Sequence, residues 1–568
     1  MSEKEADLTP VEGIKEKSGN LRGTIEEGLH KAITGSLEED DTQLTKFHGF
    51  YQHDDRDIRD ERRQQKLEPL FTFMLRARVP GGVIRAEQWK AIDAIARELT
   101  GGGLRLTTRQ TFQYHGILKK NVKPLIQGIN KAFIDSIAAC GDVNRNVLCN
   151  SNPVESSLHA RVYEDATSIS THLLPATQAY HEIWLDQEKI ADVKEEIEPI
   201  YGATYLPRKF KIAVAVPPHN DVDVNGNDLS FVAIVKDGEL AGYDVLVGGG
   251  MGCSHSTPGT YPQIAKNLGF ITPDQICPIA EAVVTTQRDN GNRTDRKQAR
   301  LKYTVDRMGV DLFKAEVEKR SGITFAPEEP YTFTMHSDRF GWTENANGTS
   351  NLTLFIEHGR ITDKPDGPQM LQGLLQIADL HGGDFRMTAT QNLVIAEVET
   401  KKKEAIEALA REHGLLRDVS RLRENSMACV ALPTCTLAMA EAERYLPDLI
   451  TKLENLANKH GLAEQPITIR MTGCPNGCAR PYLAEIAFVG KAPGKYNLYL
   501  GGDGKGTRLV QLYRENIDED QILAEIDPLF ERYASEREAE EGFGDFLIRT
   551  NVVPAVYDGR QFKTGRAQ

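Results

Sequence analysis

The sequence predicts a mixed α/β (α+β) protein made twice from one plan, with two related halves about a pseudo-twofold axis and three domains in all. Three observations carry this. Strand-like runs alternate with amphipathic helices such as KKKEAIEALAREHGLL (401–416), the signature of a mixed fold. Four motifs recur in one order along the chain, the mark of an internal repeat. The 568 residues exceed what one hydrophobic core serves and correspond to about three domains.

The elements follow in order. Residues 1 to about 45 are polar and charged with few apolar clusters; they read as a mobile arm, a partner-docking segment, or both. With a short lead-in they make up residues 1–69. RLTTRQTF (105–112) then resembles RMTATQNL (386–393), each after a helix-like segment, AEQWKAIDAIAREL or QMLQGLLQIADLHGG. NRNVLCNSNP (144–153) parallels RENSMACVALPTC (423–435), which sets Cys149 opposite Cys429. PRKFKIAVAV (207–216) parallels PITIRMTGC (466–474), and YDVLVGGG (243–250) parallels YNLYLGGD (496–503). Small units at 70–138 and 342–418 are expected to pair into one domain, and larger units at 139–341 and 419–568 to form the other two. LVGGGMG (246–252) lacks the third glycine and the following helix of a dinucleotide fingerprint, so it reads as a tight structural turn.

Composition narrows the class. With 40% hydrophobic and 26% charged residues, the chain is that of a water-soluble protein. No apolar run is long enough to span a bilayer, and the N-terminus has no signal-like apolar stretch. The expected location is the cytoplasm, with no membrane association. A net charge of −14 argues against nucleic-acid binding. Eight cysteines in a reducing compartment point to metal or catalysis before disulfides.

Four of these cysteines are organised. Cys429 and Cys435 give C-x5-C, and Cys474 and Cys478 give C-x3-C within TGCPNGC. Four thiolates suit zinc or an iron–sulfur cluster. Zinc modules favour shorter knuckles than C-x5-C. Small residues between Cys474 and Cys478 let backbone N–H groups approach cluster sulfurs, so the pattern favours iron–sulfur over zinc and over four inert thiols. Cys140, Cys149, Cys253 and Cys277 show no ligand spacing and read as small buried hydrophobes.

The other half carries cations. Arg76 and Arg78 lie in MLRARVPGG, Arg105 and Arg109 in RLTTRQTFQYHG, Arg145 in NRNVLC, and Arg208, Lys209 and Lys211 in LPRKFK. In an extended segment Lys209 and Lys211 share a face. Two like charges with no acid nearby in sequence are costly unless an anion sits there; a polyanionic cofactor or a small oxyanion accounts for the set.

At these residues the chain resembles the sirohaem/[4Fe–4S] sulfite and nitrite reductases. The likeness runs through GFYQHDDRDIR, RLTTRQTFQYHGILKKNVKP, NRNVLCNSNP, TYLPRKFK, EAVVTTQRDNGNRTDRK, ENSMACVALPTC and TGCPNGC. Within that family it looks most like the haemoprotein subunits that receive electrons from NADPH. The resemblance implies paired ferredoxin-like half-domains at 70–138 and 342–418, a sirohaem and substrate domain at 139–341, and a cluster and sirohaem domain at 419–568. It implies that Cys429, Cys435, Cys474 and Cys478 bind one [4Fe–4S] cluster. Cys478 would also be the axial ligand of one sirohaem iron, with Pro475, Asn476 and Gly477 kept small by the two groups crowding the turn. Arg76, Arg145, Lys209 and Lys211 match the family's sulfite-binding positions. Arg105, Arg109, Gln113, His115, Asn476 and the NRTDRK segment (292–297) are expected near the sirohaem and its carboxylates.

The implied reaction is assimilatory six-electron reduction of sulfite to sulfide. The chain shows no flavin or NADPH segment, so FAD, FMN and NADPH belong to a flavoprotein (alpha) partner in a hetero-oligomer. The alternatives are a ferredoxin-dependent sulfite or nitrite reductase of the same fold, or a non-catalytic iron–sulfur or zinc structural protein. Lys211 stands where nitrite-reducing relatives typically carry Asn. Two departures from the family pattern are Ala479, where Gly is common, and Asn290, where an aromatic residue occurs.

Overall fold

The computed structural model describes residues 8–177, 179 and 198–563. Five strands precede residue 120: β1 (Phe50–Asp54), β2 (Phe71–Arg76), β3 (Val83–Arg85), β4 (Gly103–Leu106) and β5 (Phe112–Ile117). Then come β6 (Ile212–Ala215), β7 (Leu229–Lys236), β8 (Glu239–Val247) and β9 (Lys266–Ile271). The second half opens with β10 (Gly341–Glu344), β11 (Ser350–Leu354), β12 (Arg360–Thr362), β13 (Asp384–Met387) and β14 (Leu393–Val398). It closes with β15 (Ser426–Ala428), β16 (Ile469–Thr472), β17 (Ile486–Ala492), β18 (Lys495–Leu500) and β19 (Gln511–Ile517). No helix among the described residues is long and apolar enough to cross a membrane.

Two five-stranded sheets come from the small units, in the orders β1-β2-β5-β4-β12 and β10-β11-β14-β13-β3. Each half therefore lends one short strand to the other's sheet. Ile361 of β12 pairs with Leu104, and Ile84 of β3 pairs with Phe385. Gly82 and Gly359 precede the lent strands with φ of 78° and 77°. A Cβ at either would stand 2.5 Å from Met387 O or 2.3 Å from Leu106 O, so only glycine permits the crossing. One apolar core serves both units: Trp89, on the helix Ala86–Leu99, is fully buried and stacks on Phe385 of the other half, with ring centroids 5.0 Å apart.

The larger units repeat a second plan. β6 runs parallel to β7, and β7-β8-β9 continue antiparallel. β16 runs parallel to β17, and β17-β18-β19 continue antiparallel. Leu148 bridges Ala213 as Met427 of β15 bridges Arg470. Since Ile212 faces Leu229 as Ile469 faces Ile486, the register makes Leu148 the counterpart of Met427. Cys149 then corresponds to Ala428, and Asn150 to Cys429, a shift of one residue from the correspondence suggested by the motifs. The same register makes Asp221 the counterpart of Cys478 and Asp223 that of Arg480. The latter two share a left-handed backbone, φ 47° and 50°.

The expectation of a mobile arm is corrected from residue 8 onward; residues 1–7 lie outside the described set. Leu21, Ile25, Leu44 and Phe47 are buried in the core of the first large unit. Glu12 and Lys15, on the helix Pro10–Lys17, are 2% and 1% exposed. Lys15 Nζ donates to Glu12 (2.7 Å) and Leu206 O (2.9 Å), and Glu12 also pairs with Arg293. Glu12 and Lys15 read as surface charges in the sequence because, besides each other, they meet Arg293 and Leu206 O, 281 and 191 residues away.

Candidate active site: four thiols facing four cations

β15 and β16 are parallel neighbours, so the residues that follow them emerge side by side. Cys429 leaves β15, and its N–H donates to Met471 O at 3.1 Å; Gly473 leaves β16, and its N–H donates to Cys429 Sγ at 3.3 Å. The loop back to Cys435 is tied down from both sides. Met439 and Ala440 N–H donate to Gly473 O at 2.8 and 3.1 Å. Arg56, from the lead-in, donates to Cys435 O at 3.1 Å and Ala438 O at 2.8 Å, and His53 contacts Thr434 O.

The small residues of TGCPNGC also have a cause within the protein. The glycine-rich loop after β8 presses on the turn, with Cys253 N–H donating to Pro475 O at 2.9 Å. Gly477 has φ 63°, and a Cβ there would lie 2.6 Å from Met251 O. LVGGGMG is thus a structural turn, and TGCPNGC is the surface it fits.

The four organised cysteines share one electrostatic neighbourhood. Burial raises Cys429 far above the ordinary thiol range, Cys474 to about 12, and Cys435 less; the charge of Cys478 is the next cause in each. Thiols so placed keep their protons until a metal replaces them. Cys478 itself is exposed. Its charge acts on Arg76, Lys209 and Lys211 as well as on the other thiols.

The four expected anion-binding cations come together on that side. Arg76 Nη1 donates to Cys140 Sγ (2.9 Å) and Ala139 O (3.5 Å). Arg145 shares Ala139 O (3.3 Å) and donates twice to Gly141 O, at 2.9 and 2.7 Å. Burial lowers the Arg76 guanidinium, but Cys140, Tyr51 and Cys478 outweigh it and its pKa rises. Lys209 and Lys211 flank Phe210, which is buried in the core. Burial, then Arg208, bring Lys209 to about 7; burial, then Lys209 and Arg109, take Lys211 well below its usual value. The nearby acid, Asp228, is already engaged: it accepts twice from Arg300 (3.0 and 2.8 Å) and once from Lys211 N–H (2.9 Å).

The residues expected near the sirohaem divide. Gln113, with its amide oxygen toward Arg76, accepts from Arg76 Nε at 3.2 Å. His115 Nδ1 lies 3.5 Å from Arg360 Nη1, and burial holds the ring far below its usual pKa. Asn476 gives a backbone N–H to Cys474. Arg105 and Arg109 have protein partners: Arg105 pairs with Glu443 (2.7 Å) and donates to Ala428 O (2.8 Å), while Arg109 donates to Asn227 Oδ1 (2.6 Å), Ile212 O (2.9 Å) and Asn146 O. Arg109 Nε is buried without a partner. In NRTDRK, Arg293 pairs with Glu12, and Arg296 holds Asp142 at 2.7 and 2.9 Å.

Sequence reasoning missed Cys140, Tyr51, Asp142, Asp228 and Arg300. Cys140 is a sulfur acceptor for Arg76, not an inert filler; no spacing signal could reveal it, because its partner lies 64 residues away.

The donor set fits a cluster next to a polyanionic group. Among the described residues no three His, Cys, Asp or Glu side chains converge on one metal ion, whereas four thiols within mutual electrostatic reach suit a larger inorganic core. The exposed thiol within electrostatic reach of the Lys209 and Lys211 ammonium groups suits a second, anionic group on its other side.

A thiol quartet beside a ring of cations fits a metal-cluster protein that handles an anion. The family model of the nitrite and sulphite reductase 4Fe-4S domain matches residues 164–325, and that of the nitrite/sulfite reductase ferredoxin-like half domain matches twice, at 64–132 and 344–413. The chain belongs to the nitrite and sulfite reductase family. It is 58% identical, over 98% of its length and 99% of theirs, to the sulfite reductase (NADPH) hemoprotein beta-components of Shewanella sp. strain ANA-3 and Shewanella oneidensis, and 57% identical to that of Shewanella baltica over the same shares. The NirA protein of Mycobacterium tuberculosis has the same fold, with a TM-score of 0.78 at 24% identity over 96% of this chain and 97% of that one.

Proposed function

We propose that this chain is the haemoprotein component of an NADPH-dependent assimilatory sulfite reductase. It reduces sulfite to sulfide with sirohaem and one [4Fe–4S] cluster. The observation that carries the reading is the position of Cys478, an exposed thiol within electrostatic reach of the other three cysteines and of Arg76, Lys209 and Lys211. The full-length likeness to hemoprotein beta-components supports the same reading.

Conversion of sulfite to hydrosulfide takes up six electrons and seven protons and releases three waters. Sirohaem and the cluster, when bound, supply the electrons and the iron that holds the substrate. In this reading Cys429, Cys435, Cys474 and Cys478 would hold the cluster, and Cys478 would also serve the sirohaem. Arg76 and Arg145, anchored through Ala139 O and Gly141 O, act as fixed clamps on the dianion and stabilise charge where the S–O bonds weaken. Lys209, with its pKa brought to about 7 in the free protein, and Lys211 hold protons over the departing oxygens and hand them on, a task that favours a pKa near the working pH. Gln113 steadies Arg76. Arg105 and Arg109, tied to the protein, would supply positive charge near the sirohaem carboxylates.

Electrons reach the chain from a flavoprotein (alpha) subunit carrying FAD and FMN, and the compartment is the cytoplasm, where cysteines stay reduced. The test is an absorption spectrum of the purified protein with iron and acid-labile sulfide counts. A sirohaem spectrum and about five irons per chain, four in the cluster and one in the macrocycle, are expected. Zinc, or iron without a haem band, overturns the reading.

A further inference from the structure

Asp223 and Arg480 occupy equivalent positions in the two halves, each beginning the short turn before its central strand, Val224–Gly226 or Pro481–Leu483. They pair with each other across the pseudo-twofold axis. Two copies of one residue there would repel; one acid and one base lock the halves together. Asp223 is fully buried, and its carboxylate also accepts from Arg470 Nη1 at 2.6 Å and lies 2.8 Å from His336 Nδ1.

Arg480 stands two residues after Cys478. Its Nη1 donates to Thr108 O (3.0 Å) and its Nη2 to Ala389 O (2.7 Å), which are again repeat equivalents, in RLTTRQTF and RMTATQNL. Its backbone N–H donates to Gly477 O (3.0 Å), while Thr108 Oγ1 donates to Cys478 O (3.1 Å). One guanidinium thus ties both half-domain motifs to the turn that carries Cys478, and Asp223 holds that guanidinium in place. Without the carboxylate, two buried guanidiniums, those of Arg470 and Arg480, face each other. Arg480 must then withdraw, releasing Thr108 and Ala389.

We propose that Asp223 is a positioning residue for Cys478, acting through Arg480 to set how that thiol sits between the two cofactors. This rests on the reading of Cys478 as the shared ligand. The set of variants is Asp223→Asn, which keeps shape and removes charge; Arg480→Lys, which keeps every charge and loses the carbonyl bonds; and His336→Gln as control. Each is purified with its cofactors and examined by iron and sulfide counts, by the electron paramagnetic resonance spectrum of the coupled centres, and by the haem midpoint potential. Asp223→Asn and Arg480→Lys are expected to retain full iron and sulfide, to alter the coupled spectrum and shift the potential, and to lower kcat roughly tenfold with KM for sulfite little changed. His336→Gln, whose amide can still donate to the Asp223 carboxylate that His336 Nδ1 meets at 2.8 Å, should match the parent. Native spectrum and potential in Asp223→Asn overturn the inference. If Asp223→Asn does not fold, the same native result in Arg480→Lys overturns it. The underlying reading fails separately, if the parent protein shows no coupled signal or if Cys478→Ser keeps it.

Discussion

Lys209 and Lys211 lie either side of the buried Phe210, and both ammonium groups feel the charge of Cys478 as well as that of the neighbouring cations. A bound anion restores the protons that burial and the neighbouring cations weaken, and two ammonium groups then suit a dianion better than a monoanion, because the second negative charge offsets repulsion that a single one leaves in place. Lys211→Asn is therefore expected to lower kcat/KM for sulfite by about tenfold to a hundredfold relative to nitrite, measured with a small-molecule reductant so that the partner is not involved. An unchanged ratio of the two kcat/KM values would refute the assignment. At this scale the candidate metal ligands are legible in the sequence, because cluster ligation needs cysteines of local spacing. The residues that tune the cations are not. Cys140 meets Arg76 and Asp228 meets Arg300 only through the fold.

At the scale of elements, the register gives the second half-site a definite character. Asp221 stands where Cys478 stands in the other half, and Thr353 pairs with Val394 as Arg76 pairs with Gln113. The pocket there is lined by Asn150, Asn152, His219, Asp221, Asp338 and Arg339, with a carboxylate in the place of the Cys478 thiol and Thr353 in the place of Arg76. Burial, then Asp338, raise the Asp221 carboxyl to about 7. Its unfolded value is about 3.9, so the fold retains a proton that the unfolded chain releases. Stability is lost as pH rises from about 4 to 7, and the full cost is felt above that. Asp221→Asn keeps an oxygen for the Asn150 Nδ2 bond of 2.8 Å and removes the charge. It is expected to stabilise the protein by on the order of 2 kcal/mol at pH 8 and by almost nothing at pH 4, read from urea midpoints. Equal midpoints for variant and parent at pH 8 would contradict this. The repeated motifs announce the duplication in advance, since each is a contiguous string. The exchange of β3 and β12 between sheets stays hidden, because three-residue strands carry no periodicity and their partners lie hundreds of residues away.

The whole molecule is knit by groups whose cost appears only on unfolding. His48 and His358 are 1% and 2% exposed, and burial, opposed by Leu21 O for one and by Glu357 and Glu443 for the other, lowers each to about 4. The unfolded chain protonates them near 6.5, so stability is complete above that pH and falls as pH drops from 6.5 toward 4, by about 3 kcal/mol for each histidine. Denaturation midpoints of the parent should fall across that window, and His358→Gln should flatten the slope; parallel slopes for the two proteins would count against it. The N-terminal segment raises a sharper question. A segment serving only to dock the flavoprotein could be removed with loss of NADPH-driven turnover alone, leaving activity with a small reductant. Leu21, Ile25 and Leu44 are instead buried in the first large core, each contributing about 1.5–3 kcal/mol. Loss of Glu12 would leave Arg293 without its carboxylate partner. The summed loss rivals the about 5–15 kcal/mol that holds a domain folded. Deletion of residues 1–45 is therefore expected to abolish activity with both electron donors and to remove the cooperative thermal transition of the first half. Full activity with a small reductant after this deletion would show that the segment docks a partner and does not support the core.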